Sequence, residues 1–526
     1  MKYQGVNPIL PLDAYIPDGE PHVFGDRLYL FGSHDVEGGT RYCAGGNYVG
    51  WSAPLSDPTD WRYEGEIYNV KQDPIYDPQY NNDLYAPDVV QGNDGRYYLY
   101  YNVTCSAPDS DWCDSTRVAV CDTPVGHYEF YGFVRNPDGS VHNSYLMGDP
   151  AVINDDGVIR LYAGWSLSMV AAGAHSQGAG FSGERRAQAP AGGQQQRPQL
   201  PQPGDPQMNV KLSFLYKMLF KRTLEQVKDL EYPLMGANAF ELEDDMLTVK
   251  SGPHRIVPGQ FDTPKDSGFY GHAFYEASSI RKIGGLYYFI YSSENSNELC
   301  YATSPYPDRD FVYGGTIISN GDVGYQGRKP EDRLNMTANN HGSLEKLGDA
   351  WYIFYHRQTH RSTFSRQACA EKVEILPNGS IPQVECTSMG LNPSALKAEG
   401  TVPAPICCML TNGHMPHCTN TILDADIPYI THGDDERFIT SIADGTRIGY
   451  KYFDFNGEVR LTLMVRGEGE GCFEVRADDR LLAAIPVGKA ENWTAYTAGF
   501  TAEGTAALYL DYHGEGRVEL LSLSFD

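Results

Sequence analysis

The chain has 526 residues, enough for about two to four domains. It is 41 % hydrophobic and 21 % charged, which excludes a wholly disordered chain. With 41 basic against 68 acidic residues the net charge is −27, which argues against a nucleic-acid or anionic-membrane partner, since both need clustered Lys and Arg.

The chain opens Met1-Lys2-Tyr3-Gln4-Gly5-Val6-Asn7-Pro8, without the apolar centre of a signal peptide. No apolar run approaches the ~18 residues of a membrane span. Its 11 cysteines are odd in number and irregularly spaced, so the expectation is a cytoplasmic protein with free thiols. The 37 Tyr, with abundant Gly and Pro, suggest many short strands and tight turns. Tyr serves equally as β-core or as a flat, hydroxyl-bearing sugar surface.

A repeat runs along the first 390 residues: a turn containing Gly, then a strand of Tyr and aliphatics. It begins at Gly25, Gly95, Gly157, Gly285 and Gly348, in steps of 70, 62, 128 and 63 residues. Each repeat reads as a hairpin with Asp-Gly or Gly-Asp turns. A third segment follows in most (Tyr48–Ser52, Arg117–Cys121, Leu299–Ser304), then an aromatic and a Gly (Trp61 and Gly65, Phe130 and Gly132, Phe311 and Gly314). Four-stranded meanders repeated radially make a β-propeller, here of five blades. The long step marks an insertion over 170–230, placed between blades three and four. Its first part is Ala, Gly, Gln and Pro-rich, a composition that buries little apolar surface. Its second part, 209–230, has Leu212, Leu215, Leu219, Phe220, Leu224 and Val227 at helical spacing.

Residues 391–425 read as a linker, with Pro393, Pro403, Pro405 and a Cys407, Cys408, His414, His417, Cys418 cluster whose spacing matches no zinc pattern. From 426 to 526, alternating strands and regular turns predict a β-sandwich. The expected fold class is therefore all-β: a five-bladed propeller with a C-terminal sandwich, or jelly roll.

In a propeller the innermost strands line one channel, so equivalent residues converge. Upstream of the five turn glycines stand Asp18, Asp88, Asp149, Glu276 and His341. One alone is an ordinary turn residue. Five at matched offsets predict crowded carboxylates whose pKa values are driven apart, leaving one protonated and others ionised. An acid to protonate a leaving oxygen and a base to activate water are the requirements of glycosidic hydrolysis.

These stretches resemble glycoside hydrolase family 43, the propeller β-xylosidases, α-L-arabinofuranosidases and arabinanases. The likeness rests on Asp18-Gly19-Glu20-Pro21-His22-Val23-Phe24, Ala86-Pro87-Asp88, Gly148-Asp149-Pro150-Ala151, Glu276 to Lys282 and Asn340-His341-Gly342, in that order and spacing. The resemblance implies an inverting enzyme that needs no cofactor, with Asp18 as general base, Glu276 as general acid and Asp149 tuning the acid. His341 matches a histidine that in many members lies near an axial calcium ion or water cluster. Asp88 is expected to shape the site or touch substrate, and rivals Asp149 for the tuning role. Arg357 is expected to reach a sugar hydroxyl. Two departures, Pro17-Asp18-Gly19 for Ala-Asp-Pro and Ala277-Ser278 for Gly-Pro, bear on which pentose fits. The C-terminal part resembles a family 6 carbohydrate-binding module, with Trp493 as a loop residue that stacks on sugar. The expected substrate is an oligosaccharide carrying terminal arabinofuranosyl or xylosyl groups. The rival readings are another propeller glycosidase, acting on fructosides or arabinan, and a non-catalytic binding platform.

Overall fold

The computed structural model describes residues 5–105, 115–142, 147–168 and 235–526. The insertion 170–230, with its expected helix over 209–230, lies outside the described residues.

The repeats form antiparallel meanders. Blade one is β1 (Glu20–Phe24), β2 (Arg27–Phe31), β3 (Asn47–Pro54) and β4 (Arg62–Asn69). Blade two is β5 (Asn82–Gln91), β6 (Tyr97–Cys105), β7 (Arg117–Cys121) and β8 (Glu129–Phe133). Blade three is β9 (Ala151–Asp155), β10 (Val158–Trp165), β11 (Gly236–Leu242) and β12 (Val249–Pro258). Blade four is β13 (Phe274–Ile283), β14 (Leu286–Ser293), β15 (Glu298–Ser304) and β16 (Val312–Ser319). Blade five has three strands, β17 (Leu344–Leu347), β18 (Ala350–Thr359) and β19 (Ser362–Val373). The five-bladed propeller expected from the Gly-to-Gly steps is the observed architecture.

The insertion is placed differently from the expectation. It enters inside blade three, after β10, and β11 and β12 complete that blade beyond it. These two strands carry no Gly-Tyr signature, so counting turn glycines put the insertion after the blade.

The ring closes between blades five and one. The Ile9 N–H donates to Ala368 O at 2.9 Å. The Asn7 side chain donates to Ala370 O at 3.0 Å and accepts the Ala370 N–H at 2.8 Å. On the axis, Gly19 and Gly342 form a parallel bridge. A Cβ at Gly342 would lie 1.9 Å from Phe354 O, so only glycine fits against the β18 backbone here.

Apolar clusters fill the seams between blades, and Tyr is their main currency. Fully buried rings such as Tyr48, Tyr100, Tyr101 and Tyr291 supply apolar area. Their hydroxyls reach Tyr85 O (2.8 Å), Met246 O (2.6 Å), Asp73 Oδ2 (2.6 Å) and His272 O (2.7 Å). Most of the Tyr excess is therefore core, with Tyr42, Tyr85 and Tyr275 left facing a pocket.

The C-terminal module is one hydrogen-bonded sheet of ten strands. They are β20 (Leu396–Lys397), β21 (Gly400–Pro403), β22 (Met409–Thr411), β23 (Tyr429–His432), β24 (Arg437–Ile442), β25 (Arg447–Gly467), β26 (Glu470–Ala477), β27 (Arg480–Val487), β28 (Ala490–Glu515) and β29 (Val518–Phe525). β25 and β28, of 21 and 26 residues, pair along most of their length and join what would otherwise be two sheets. Their buried faces share one core with β24, β26, β27 and β29. The segment read as a linker belongs to this module: β20 and β22 pair with β25, and β21 with β29. Its prolines flank short edge strands, where a missing N–H is tolerated. The Cys/His cluster of this segment does not converge. Cys407, Cys408 and Cys418 are buried free thiols, and the His417 ring lies between Thr337 Oγ1 (2.9 Å) and Ser296 Oγ (3.1 Å).

Asn7→Ala removes three buried hydrogen bonds at the ring closure. It is expected to cost about 2–3 kcal/mol, read as a lower thermal midpoint with unchanged KM.

Candidate active site

A pocket of about 270 Å³ opens at one end of the axis. Asp18, Asp149, Glu276 and His341 all line it, together with Arg366, Asn339, Trp165 and Tyr275. The loop residues that begin the inner strands hold the carboxylates there. Asp18 (φ 58°), Ala86 (φ 23°), Asp149 (φ 45°) and Ala277 (φ 67°) all adopt left-handed backbone, which L-residues hold only where the surroundings over-determine it. The Asp149 Oδ2 accepts the Ala277 N–H at 2.8 Å, fixing the peptide that follows Glu276.

Asp18 is held by cations and dipoles. Its Oδ1 accepts from Arg366 Nη1 at 2.9 Å, and His341 Nδ1 is 3.9 Å away. Burial would raise its pKa, but the charge of Arg366 foremost outweighs it and holds the carboxyl below its usual range. His356, fully buried beneath it, accepts the Asp18 N–H on Nδ1 (3.2 Å) and meets Asn339 O through Nε2 (2.9 Å). That pattern is the neutral Nε2–H tautomer, and burial with the nearby Arg366 pushes its pKa down to about 3.

Glu276 has the opposite environment. Burial first, then the charges of Asp149 and Asp18, push it up to about 8. Burial likewise raises Asp149. The pocket thus pairs a carboxylate with a carboxylic acid at neutral pH.

Three residues expected to meet substrate or sugar lie elsewhere. Asp88 is fully buried one layer deeper: Oδ1 meets His22 Nε2 (2.6 Å) and the Val89 N–H (2.7 Å), and Oδ2 accepts the Val152 N–H (2.7 Å). Its offset from Gly95 misleads because turn lengths differ. β1 and β2 join after Phe24↔Arg27, whereas β5 and β6 join after Gln91↔Tyr97. The blade-two residue at pocket level is Ala86. Arg357 points into the seam with the C-terminal module, where its guanidinium donates to Pro405 O (2.5 Å) and Cys407 O. It anchors that segment and does not line the pocket. Trp493 lies in β28, not a loop: Arg466 covers its ring at 4.1 Å and its Nε1 donates to Glu436 at 2.7 Å.

Sequence reasoning missed Arg366, Tyr42, Trp165, Asn339 and the pair Thr419 and Asn420. Only Asn339 stands at such an offset, nine residues before Gly348, as Glu276 stands nine before Gly285. Arg366 is in mid-β19, and Thr419 and Asn420 come from the segment read as a linker, held by the Thr337–His417 bridge and the Cys418 N–H to Thr337 O bond (3.0 Å). A buried-core strand carrying Arg within Ser365-Arg366-Gln367 was the available signal.

Arg366→Met leaves Asp18 and Asp35 buried without their cation and is expected to destabilise the protein by about 3–5 kcal/mol. Any activity that survives has its acid limb moved to higher pH. Arg357→Met is expected to lower the thermal midpoint and leave the pH profile in place.

No protein-family model matches the chain. The xylosidase/arabinosidase of Thermoclostridium stercorarium is 39 % identical over 540 residues, spanning 100 % of this chain and 99 % of that one. Xylosidase/arabinosidase 43A of Humicola insolens is 27 % identical over 358 residues, 65 % of this chain and 88 % of that one. Among solved structures, a glycoside hydrolase family 43 arabinoxylan arabinofuranohydrolase from Bacillus subtilis aligns over 99 % of this chain and 98 % of that one, at TM-score 0.46 and 19 % identity. On the full-length relationship at 39 % identity, the chain belongs to the xylosidase/arabinosidases of glycoside hydrolase family 43 and is a glycosidase.

Proposed function

We propose that the pocket hydrolyses terminal α-L-arabinofuranosyl and β-D-xylosyl groups of plant-derived oligosaccharides, with inversion at the anomeric carbon. The observation that carries this reading is the split in acidity between Asp18, held ionised, and Glu276, held protonated to about pH 8. Asp18 takes a proton from water as the water oxygen bonds to the anomeric carbon. Glu276 gives its proton to the departing glycosidic oxygen as the old C–O bond breaks. Asp149 sustains the high pKa of Glu276 and fixes its peptide. Trp165 and Tyr275, with ring centroids 6.3 Å apart, give the sugar an apolar wall. Thr419 and Asn420 complete the pocket from the C-terminal side, which favours a chain end over a mid-chain segment. On this reading the module acts by packing and by delivering that wall, and a family 6-like sugar site is a separate function.

The axis below the pocket suits a calcium ion. Glu20 Oε1 is buried without a hydrogen-bond partner and lies 3.9 Å from His341 Nε2. Glu20, His22 and Asp88 each offer a ligand atom within 4.8 Å of the others. The Glu20 and Asp88 carboxylates would hold the ion with water filling its shell, and its charge would keep Glu20 ionised against burial.

Asp18→Ala is expected to lower kcat by about 10²–10⁴ on 4-nitrophenyl α-L-arabinofuranoside or β-D-xylopyranoside. Glu276→Ala is expected to cost as much on an oligosaccharide and far less on the nitrophenyl glycosides, whose leaving group needs no proton. Because Glu276 works protonated, kcat/KM falls as pH rises through about 8, and Asp149→Asn moves that limb to lower pH. Full activity in either alanine variant on the oligosaccharide would refute the assignment. A first-formed product of retained configuration would favour the retaining fructosidase-like reading.

A further inference from the structure

Where the propeller meets the C-terminal module, three side chains from distant segments converge, none of which lines the pocket. Glu37 follows β2, His360 occupies the β18–β19 turn, and His432 ends β23. His360 Nε2 lies 2.9 Å from His432 Nδ1 and 4.0 Å from Glu37 Oε1, and His432 Nδ1 lies 3.6 Å from Glu37 Oε1. All three atoms fall within one coordination sphere.

The protons of this cluster can be placed. The Thr359 hydroxyl donates to Ser365 O at 3.3 Å, so towards His360 Nδ1, at 2.9 Å, it accepts. His360 therefore carries its proton on Nδ1 and presents the bare Nε2 lone pair to the cluster. Glu37 is ion-paired to Arg437. Arg437 donates from Nη2 to Oε2 at 2.8 Å and from Nε to Oε1 at 3.2 Å, and Oε1, which also receives Tyr15 OH at 3.0 Å, faces the two rings. The turn itself is rigid, since His360 (φ 59°) and Arg361 (φ 49°) are both left-handed and the His360 N–H donates to Ile430 O at 2.9 Å.

We propose that Glu37, His360 and His432 bind a divalent transition-metal ion of the zinc class, which staples the C-terminal module to the propeller. Two imidazoles and one carboxylate are the donors such an ion selects, whereas calcium and magnesium prefer all-oxygen shells. The His360 Nδ1–H to Thr359 contact is the outer hydrogen bond that orients metal-ligating histidines. Without the ion, a His432 Nδ1–H donates to His360 Nε2, and that simple pair is the competing arrangement. The site goes beyond the glycosidase activity and does not rest on it.

The test uses the full chain stripped with chelator, then titrated with Zn²⁺ by calorimetry and with Co²⁺ by visible absorption, each alongside a thermal scan. One equivalent is expected to bind and to raise the thermal midpoint, with Ca²⁺ and Mg²⁺ having no such effect at this site. His432→Ala, at a side chain 38 % exposed and so tolerant of truncation, is expected to weaken binding at least tenfold. His360→Gln is expected to do the same. No uptake, uptake that His432→Ala leaves unchanged, or uptake without a higher midpoint would overturn the proposal.

Discussion

The Arg366 guanidinium ion-pairs with Asp18 at 2.9 Å and Asp35 at 2.8 Å while fully enclosed, and the charge state of the pocket follows from that arrangement. A buried carboxylate costs several kcal/mol unless it is paired and hydrogen-bonded. Arg366 meets that condition for Asp18 and leaves Glu276 outside it. The same low-dielectric surroundings therefore produce one base and one acid. Tyr42 lies under the guanidinium, its ring 4.7 Å from the cation, and helps hold it in the plane that reaches both aspartates. The expected pH dependence and the expected sensitivity at Arg366 both follow from this one cation.

The propeller supplies the precision. Inner strands of different blades must bring charged side chains to a common point without a hinge between them. Left-handed residues at the entry to the first four inner strands, bulges after Tyr85 and Glu276, and the glycine contact at Gly342 turn those side chains into the pocket. Behind them the Tyr-rich seams fix blade against blade. The C-terminal module adds a wall through Thr419 and Asn420, so its docking on blade five contributes directly to pocket shape. Arg357 on the linker carbonyls, Lys451 on Glu385 at 2.8 Å and Arg437 on Glu37 hold that dock in place.

Much of this was legible in the sequence because repeats expose themselves. A turn glycine followed by alternating Tyr and aliphatics recurs with the blade, and the residue before the inner strand recurs with it. Asp18, Asp149, Glu276 and His341 were found that way. Asp88 was misplaced because turn length varies between hairpins, and an offset counted from a glycine inherits that variation. Arg357 and Arg366 show the limit more sharply: both lie in blade-five strands, yet Arg366 faces the pocket and Arg357 the module seam. Which of two arginines faces the pocket depends on packing against elements far along the chain, such as Pro405 and Cys407. The insertion was misplaced for a related reason, since β11 and β12 have strand composition without the blade signature. The linker was read from its prolines, and its three short strands are visible only as partners of β25 and β29.

The most direct measurement is the proton occupancy of Glu276 itself. Protein labelled with ¹³C at the glutamate carboxyl carbon, with the resonance assigned by its loss in Glu276→Gln, reports titration of that group without reference to any substrate. The account predicts a midpoint near pH 8, with the acid form dominant at neutral pH. A midpoint near the ordinary glutamate value of about 4.3 would mean that Glu276 is ionised in the working enzyme, and would contradict the division of roles between it and Asp18.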